Sequence, residues 1–253
     1  MKTINKIFKL GMLGIILSLV SCTEDPISSK VTYFPMITQN SPELNPIFVE
    51  LGTSFTEPGA VATANGEPID MTTTYVGRYR DNVFEETLDA NVSDIYNTEY
   101  TAINEDGFPA VSSRKVIVAE TGDLVNSIAG LYTSTVFRNG TQGNPASNYT
   151  DIEYILIWEN ADGSYGISDT FGGWYEFGRA IALSETPGGI IVANDIATND
   201  FSFPGTQTNR YFGGAAEITG LTVNPVTKTL VLTTTWDAAP GYTFVSTLTQ
   251  VQF

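Results

Sequence analysis

Residues 49–62 read VELGTSFTEPGAVA: a strand-like run, a turn rich in glycine and proline, and a second strand-like run. The same texture continues from Val31 onward, where short stretches of Val, Ile, Thr, Tyr and Phe alternate with clusters of Gly, Pro, Asn and Asp. The first set of residues favours strands and the second favours turns. The best helical candidate, 124–131, is equally suited to begin a strand. The sequence therefore predicts an all-β protein.

The first predicted module spans residues 31–120. Its strand-length segments lie at 47–51, 60–64, 72–77, 99–103 and 115–119, and the turns between them include ANGEP and NEDGF. About seven short strands in roughly 90 residues fit a β-sandwich better than a barrel or a helical bundle.

Three motifs in this module resemble those of bacterial immunoglobulin-like domains: G-x-x-[YF]-x-[DE]-P-G-A, then Y-x-A-x-[ND]-x-[DE]-G, then R-x-V-x-V. The resemblance implies an immunoglobulin-like β-sandwich that acts mainly as a spacer or stalk and carries no chemistry of its own. The matching residues are Gly52, Phe55, Glu57, Pro58, Gly59, Ala60, Tyr100, Ala102, Asn104, Asp106, Gly107, Arg114, Val116 and Val118.

The middle of the module departs from this pattern. The stretch RYRDNVFEETLDANVSD, 78–94, is longer than the family's usual segment, and Tyr96 and Asn97 stand where the family has a Pro-Gly-x-Tyr turn. The departure implies an altered loop within the same fold.

The second predicted module spans residues 127–253 and follows a joint, TGDLVNS, at 121–127. About eight strand-like runs follow one another, and the Asp162-Gly163 pair suits a tight hairpin turn. Such a series predicts an antiparallel meander that closes into a barrel or a flattened sandwich. The Gly130-Leu131-Tyr132 opening and the meander resemble lipocalins at the level of the fold, which implies no ligand.

The amino terminus has the pattern of an export signal. Three lysines precede an apolar run at 10–20, and no acid appears before Glu24. The run is too short for a membrane span, which needs about 20 residues. Residues 1–21 are therefore predicted to be a signal peptide, and the polar residues 22–30 a leash.

Cys22, the only cysteine, ends the run Leu19-Val20-Ser21-Cys22. This run resembles a bacterial lipobox, Leu-x-[Ser/Ala/Gly]-Cys, which implies that the Cys22 thiol carries the lipid anchor. The alternative is a buried or free cysteine. Glu24 and Asp25 resemble the acidic export signal of Bacteroidota lipoproteins, which implies an outer-membrane anchor with the protein facing the cell exterior. The whole chain resembles a Bacteroidota lipoprotein family with an immunoglobulin-like domain and a β-rich C-terminal domain of unknown function.

Composition excludes several function classes. A formal net charge of −16 makes a nucleic-acid partner improbable, because an acidic surface repels phosphates. With no histidine and a single cysteine, Ser-His-Asp and Cys-His catalysis and the usual zinc ligand sets are excluded. Carboxylate catalysis and oxygen-liganded calcium remain open. We predict a non-enzyme without cofactor or metal.

A candidate ligand site follows from aromatic residues set beside glycines in SYGISDTFGGWYEFGRA, 164–180, and again in TNRYFGG. Aromatic faces suit sugar rings, and nearby polar groups can bond hydroxyls. The alternative is that these rings fill the open end of a β-barrel as core, and the amount of interior to be filled favours it. The candidate ligand-binding residues are Trp174, Tyr175, Trp236, Tyr211, Phe171, Asp169, Glu176 and Arg179.

Three functions remain. The first is a lipid-anchored binding or accessory protein that captures glycan for a neighbouring outer-membrane uptake system. The second is a structural lipoprotein that binds a partner protein and no small molecule. The third is a glycoside hydrolase using a carboxylate pair such as Asp169 and Glu176 or Glu153 and Glu159. Residues 194–200 lack EF-hand spacing, which favours a solvated loop over a calcium site.

Overall fold

A computed structural model describes residues 30–140, 147–238 and 241–253 of the protein. Cys22 and the predicted signal peptide and leash up to residue 29 lie outside the described residues. The first part of the chain forms a three-stranded sheet of order β1-β3-β4 and a four-stranded sheet of order β2-β7-β6-β5. Its strands are β1 Met36–Gln39, β2 Ile47–Glu50, β3 Ala60–Ala64, β4 Glu67–Pro68, β5 Met71–Gly77, β6 Asp94–Ile103 and β7 Pro109–Ala119.

The second part is one nine-stranded antiparallel sheet of order β12-β11-β10-β9-β8-β16-β15-β14-β13. The sheet curls into a half-barrel whose outermost strands, β12 and β13, have only three residues each. The strands are β8 Gly130–Gly140, β9 Ser147–Glu159, β10 Tyr165–Ile167, β11 Gly189–Asp195, β12 Asp200–Ser202, β13 Gln207–Asn209, β14 Gly213–Asn224, β15 Thr229–Trp236 and β16 Tyr242–Gln250.

The predicted fold class is confirmed: the protein is all-β, with an immunoglobulin-like sandwich followed by an antiparallel meander. The sequence left a barrel and a flattened sandwich open for the meander. The observed sheet curls as a barrel does, but its edge strands β12 and β13 do not pair with each other. Residues 124–131 are not helical, because Leu124 lies in a turn and Gly130 begins β8. A π-helical turn, Trp174–Gly178, is the helical element of the described residues.

The immunoglobulin-like motifs meet at one buried ion pair. The Arg114 guanidinium lies 3.0 Å from the Glu57 carboxylate and also donates to the carbonyl of Asn40. The Tyr100 hydroxyl donates to the same Glu57 oxygen, and the Gly59 amide donates to it at 3.2 Å. The motif residues therefore tie the turn after β2 to β6 and β7 and close the sandwich.

The four-stranded sheet of the sandwich meets the nine-stranded curled sheet along an apolar seam. β7 is buried on both faces from Val116 to Ala119, because Val116 and Val118 face the sandwich core while Ile117 faces β8 and β9. Ile117 packs in one cluster with Leu131, Leu156 and Trp158 of the curled sheet. Burial of this kind contributes roughly 25 cal/mol for each Å² of apolar surface removed from water. The seam thus docks the sandwich onto the curled sheet.

The predicted joint is also fixed in place. The Asp123 carboxylate accepts backbone N–H bonds from Val125 and Asn126 at 2.8 Å and 2.6 Å, which holds a compact turn. The Gln250 side-chain amide donates to the Gly122 carbonyl at 2.7 Å, and Leu124 is buried. The connection therefore packs on the curled sheet.

Arg114→Ala should destabilise the protein strongly. The change leaves Glu57 and the Asn40 carbonyl without their cation, and breaking a buried ion pair costs about 3–5 kcal/mol. Urea unfolding followed by circular dichroism measures the loss. The exposed neighbour Lys115 provides the matched control, since Lys115→Ala should change stability by less than about 0.5 kcal/mol. Equal effects of the two changes would contradict the role of the ion pair.

Candidate functional site

The predicted aromatic residues come together at one end of the curled sheet. The π-helical turn places Trp174 and Tyr175 beside Phe171, and the end of β15 adds Trp236. Ring centroids lie 5.5 Å apart for Phe171 and Trp236 and 5.5 Å apart for Tyr175 and Trp236. Phe171 also stacks on Phe244 of β16 at 4.4 Å. We call these five residues the aromatic cluster.

Glycines allow the segment before the π-helical turn to lie against the sheet. A Cβ at Gly172 would come within 2.1 Å of the Ser246 hydroxyl, and one at Gly173 within 2.6 Å of Ile152. Both glycines also have positive φ angles, 61° and 84°, which other residues rarely adopt. The Gly-Gly pair in the sequence is therefore a packing requirement.

The cluster is core. Phe171, Trp174, Tyr175 and Trp236 are 0%, 1%, 3% and 6% exposed, so their rings offer no face to solvent. The sequence left an open cleft and a packed core as alternatives and favoured the core; here Trp174, Tyr175 and Trp236 pack in one buried cluster that fills the end of the half-barrel. A ligand-binding role for these four residues stays a prediction that this arrangement does not support.

Two exposed rings border the cluster, and we call them the aromatic rim. Tyr211 is 65% exposed and Phe212 is 43% exposed, with their centroids 4.8 Å apart. Phe212 also contacts Tyr175 at 4.9 Å, which joins the rim to the cluster. The buried Asn209 fixes the turn, since its side-chain oxygen accepts N–H bonds from Tyr211 and Phe212 at 3.1 Å and 2.8 Å. Sequence reasoning missed Asn209, although an Asn whose side chain can accept the backbone N–H two residues later is a known turn signal, and here that residue is Tyr211.

Cations face the cluster. The exposed Arg179 lies 5.8 Å from the Tyr175 ring centroid. Arg138 of β8, which sequence reasoning missed, lies 4.9 Å from the Trp174 ring and 4.4 Å from the Tyr242 ring. A guanidinium near an aromatic face is attracted by the ring quadrupole. Arg138 and Arg179 therefore place positive charge at the aromatic end of the sheet.

Asp169 is buried and serves the loop. One of its oxygens accepts N–H bonds from Phe171 at 2.9 Å and Thr186 at 3.3 Å, while the other has no hydrogen-bond partner in the described residues. Burial raises the pKa of Asp169 to about 7. Asp169 thus ties the Gly-aromatic loop to residue 186 and is not accessible to a substrate.

Glu176 belongs to a charge network between the two parts of the protein. Its carboxylate accepts a bond from Arg78 of the sandwich at 2.7 Å and one from the Ser184 amide at 2.9 Å. Arg78 also lies 3.2 Å from the fully buried Glu185, which pairs in addition with Arg210. Burial acts to raise the pKa of Glu185, but backbone hydrogen bonding and the two arginines outweigh it and hold that pKa below its usual value.

The loop that carries Arg78 is shaped by one carboxylate. The buried Asp94 accepts backbone N–H bonds from Arg78, Tyr79, Arg80 and Asp81 at 2.7–3.2 Å. Hydrogen bonds to a charged group contribute about 1.5–3 kcal/mol each. We call residues 78–81 the docking loop. Asp94 thus holds the docking loop in the position where it meets the curled sheet.

Side chains of the docking loop cover the end of β9. Tyr79 stacks on Trp158 with centroids 6.3 Å apart, and Arg80 lies 5.8 Å from the same ring. A Cβ at Gly77 would lie 2.4 Å from Asp94, so the residue before the loop must be glycine. The docking loop is the first part of the stretch 78–94, which departs from the immunoglobulin-like pattern.

Other candidate chemistry finds no support in the described part of the chain. No group of three or more His, Cys, Asp or Glu side chains in those residues is arranged to hold a metal ion. In the loop 194–200, the Asp195 carboxylate accepts the Ala197 amide and Asp200 accepts the Asn194 side chain, as in a solvated turn. Across residues 30–140, 147–238 and 241–253, no helix has the length and apolar character to cross a membrane.

Known proteins share both parts of this architecture. A family model of a C-terminal domain matches residues 121–250, and the model of the bacterial surface protein Ig-like domain matches residues 43–118. The crystal structure of the lipoprotein BT2262 from Bacteroides thetaiotaomicron is similar at 26% identity and a TM-score of 0.60, covering 86% of this chain and 100% of that one. A search of curated proteins found no match.

Arg78→Ala should weaken the attachment of the sandwich to the curled sheet. The change leaves Glu176 and Glu185 at the interface with one cation fewer, and because Arg78 is partly exposed we expect a loss of about 2 kcal/mol. Arg80→Ala, which removes a ring contact with Trp158 and a charge near Glu120, should cost less than about 1 kcal/mol. Urea unfolding followed by tryptophan fluorescence measures both. A smaller loss for Arg78→Ala than for Arg80→Ala would contradict the network.

Asp169→Asn should flatten the pH dependence of stability. The folded-state pKa of about 7 lies above the ordinary 3.8, so the folded protein binds the extra proton and stability falls as pH rises between those values. The variant cannot titrate there and should lose that slope in thermal unfolding midpoints recorded from pH 4 to 8. The control is Asp162→Asn, because the pKa of Asp162 is lowered and its titration lies below this window. An unchanged slope in Asp169→Asn would contradict the assignment.

Proposed function

The chain belongs to a family of bacterial surface lipoproteins in which an immunoglobulin-like domain precedes a β-rich C-terminal domain, and on that basis we propose that it is a lipid-anchored accessory protein of the outer cell surface. The lipobox-like run before Cys22 supports acylation of that thiol. Two or more acyl chains make a stable anchor, since each buried methylene contributes about 0.8 kcal/mol. The acids Glu24 and Asp25 support exposure at the exterior of the outer membrane.

The aromatic rim is the observation that carries the binding proposal. Tyr211 and Phe212 are solvent-exposed rings fixed by a buried asparagine on a sheet that is docked to the rest of the protein. Sugar rings present apolar C–H faces to such surfaces, and Arg210, which precedes Tyr211 and is 43% exposed, can donate to hydroxyls. We propose that the rim captures glycan for a neighbouring uptake system in the same membrane.

A protein partner is the second candidate. The rim stands at the surface as two rings in an edge-to-face pair, and the larger aromatic cluster behind it is closed. A small exposed aromatic patch of this kind also suits a protein interface, where Tyr, Phe and Arg are enriched. For the pair Asp169 and Glu176 the glycoside hydrolase hypothesis gains nothing from the geometry, because Asp169 is buried and Glu176 is engaged by Arg78 and Ser184.

Tyr211→Ala should weaken glycan binding about tenfold, which corresponds to about 1.4 kcal/mol. Isothermal titration of the full chain against a panel of bacterial and plant polysaccharides measures the affinity. Val226 is 90% exposed and lies in the distant turn between β14 and β15, so Val226→Ala is the matched control and should bind as the parent does.

The titration also separates the two candidates. Absence of heat with every polysaccharide would contradict glycan capture and leave the protein partner. Binding that Tyr211→Ala and Phe212→Ala both leave unchanged would remove the rim from the site.

A further inference from the structure

Large apolar side chains are exposed where the described chain begins. Val31, Tyr33 and Phe34 precede β1, and Ile103 and Phe108 lie in the hairpin between β6 and β7; all five are exposed. The Phe34 and Phe108 ring centroids are 5.0 Å apart, and the Asn104 side chain donates to the Tyr33 carbonyl at 2.9 Å. The two segments therefore form one surface, which we call the apolar tip.

The apolar side chains of the tip belong to none of the contacts that join the two parts of the protein. The sandwich core, the apolar seam and the docking loop all use other residues. Phe34 is 63% exposed, and a contiguous patch of exposed apolar side chains marks a surface that interacts with a protein or a membrane. Beside the tip lies an open groove of about 460 Å³ whose lining includes Val31, Tyr33 and Ile69.

Chain length indicates what covers the tip. Lys30, the first described residue, follows Cys22 by eight positions. An extended chain spans at most about 3.6 Å per residue, so a lipid on Cys22 keeps the tip within roughly 30 Å of the bilayer. This short tether also raises the effective concentration of the tip at the lipid surface, which makes a weak contact sufficient.

We propose that the apolar tip contacts the headgroup layer of the membrane that carries the anchor, with Phe34 and Phe108 at the interface. The inference rests on the proposed anchoring at Cys22. In peripheral membrane segments, Phe, Trp and Leu side chains insert at the boundary between headgroups and acyl chains. This contact would fix the orientation of the sandwich relative to the membrane, and with it the orientation of the curled sheet that is docked to the sandwich.

Charge selects the kind of lipid surface. Lys30 lies 2.9 Å from Glu105 and 2.7 Å from Asp106, and Glu67 also borders the groove, so acids outnumber the cation at the tip. Anionic headgroups would repel these carboxylates. The tip therefore fits zwitterionic headgroups.

Fluorescence quenching in vesicles tests the contact. The acylated full-length protein is reconstituted into phosphatidylcholine vesicles whose acyl chains carry bromine, which quenches nearby tryptophan. The native tryptophans at 158, 174 and 236 are buried in the curled sheet. We expect the tryptophan added by Phe34→Trp to lose at least half of its emission. Phe108→Trp provides a second reporter, and the matched control Val226→Trp should lose almost none.

Flotation of the same vesicles separates the tip from the anchor. Protein that floats with the vesicles but shows no quenching in either Phe34→Trp or Phe108→Trp overturns the tip contact and leaves the anchor standing. Protein that fails to float overturns both. Cys22→Ala should abolish flotation. Adding phosphatidylglycerol should reduce the quenching, and an increase would overturn the choice of zwitterionic headgroups.

Discussion

The buried carboxylate of Asp94 organises the contact on which the rest of the structure depends. It accepts the backbone N–H groups of residues 78–81, and this fixes the direction in which Arg78 and Tyr79 leave the sandwich. Gly77 is required beside it because a side chain there would occupy the position of the carboxylate. Without this anchored loop, the fully buried Glu185 would lose one of its two cations.

The docking loop and the apolar seam make one body from two folds. The seam contributes non-directional burial around Ile117, whereas the loop contributes directional bonds that fix the relative orientation. The aromatic rim at one place on the surface is then held in a constant geometry relative to the tip at another. A protein that presents a binding surface from a membrane benefits from this arrangement, because less conformational freedom is lost when a partner binds.

Local patterns predicted the fold but only part of the site. Strand-like runs, glycine-rich turns and the motif residues Glu57, Tyr100 and Arg114 predicted the sandwich, since each of those signals is short-range or specific to one fold. The amount of interior to be filled favours a core role for the rings of the Gly-aromatic passages, but which of them stay exposed depends on how far the sheet curls. The ion pair of Arg78 and Glu176 joins residues 98 positions apart, so no local sequence pattern predicts it. The altered loop at 78–94 was visible in the sequence, and its role in docking was not.

The central claim is that sandwich and curled sheet are one cooperative unit, and differential scanning calorimetry of the full chain tests it most directly. Two loosely linked domains normally unfold in separate steps, whereas a body joined through buried charges and a shared apolar cluster unfolds as a whole. The account predicts a single transition whose calorimetric and van't Hoff enthalpies agree. Two resolved transitions would contradict it, because they would show that the docking loop and the seam do not couple the two folds.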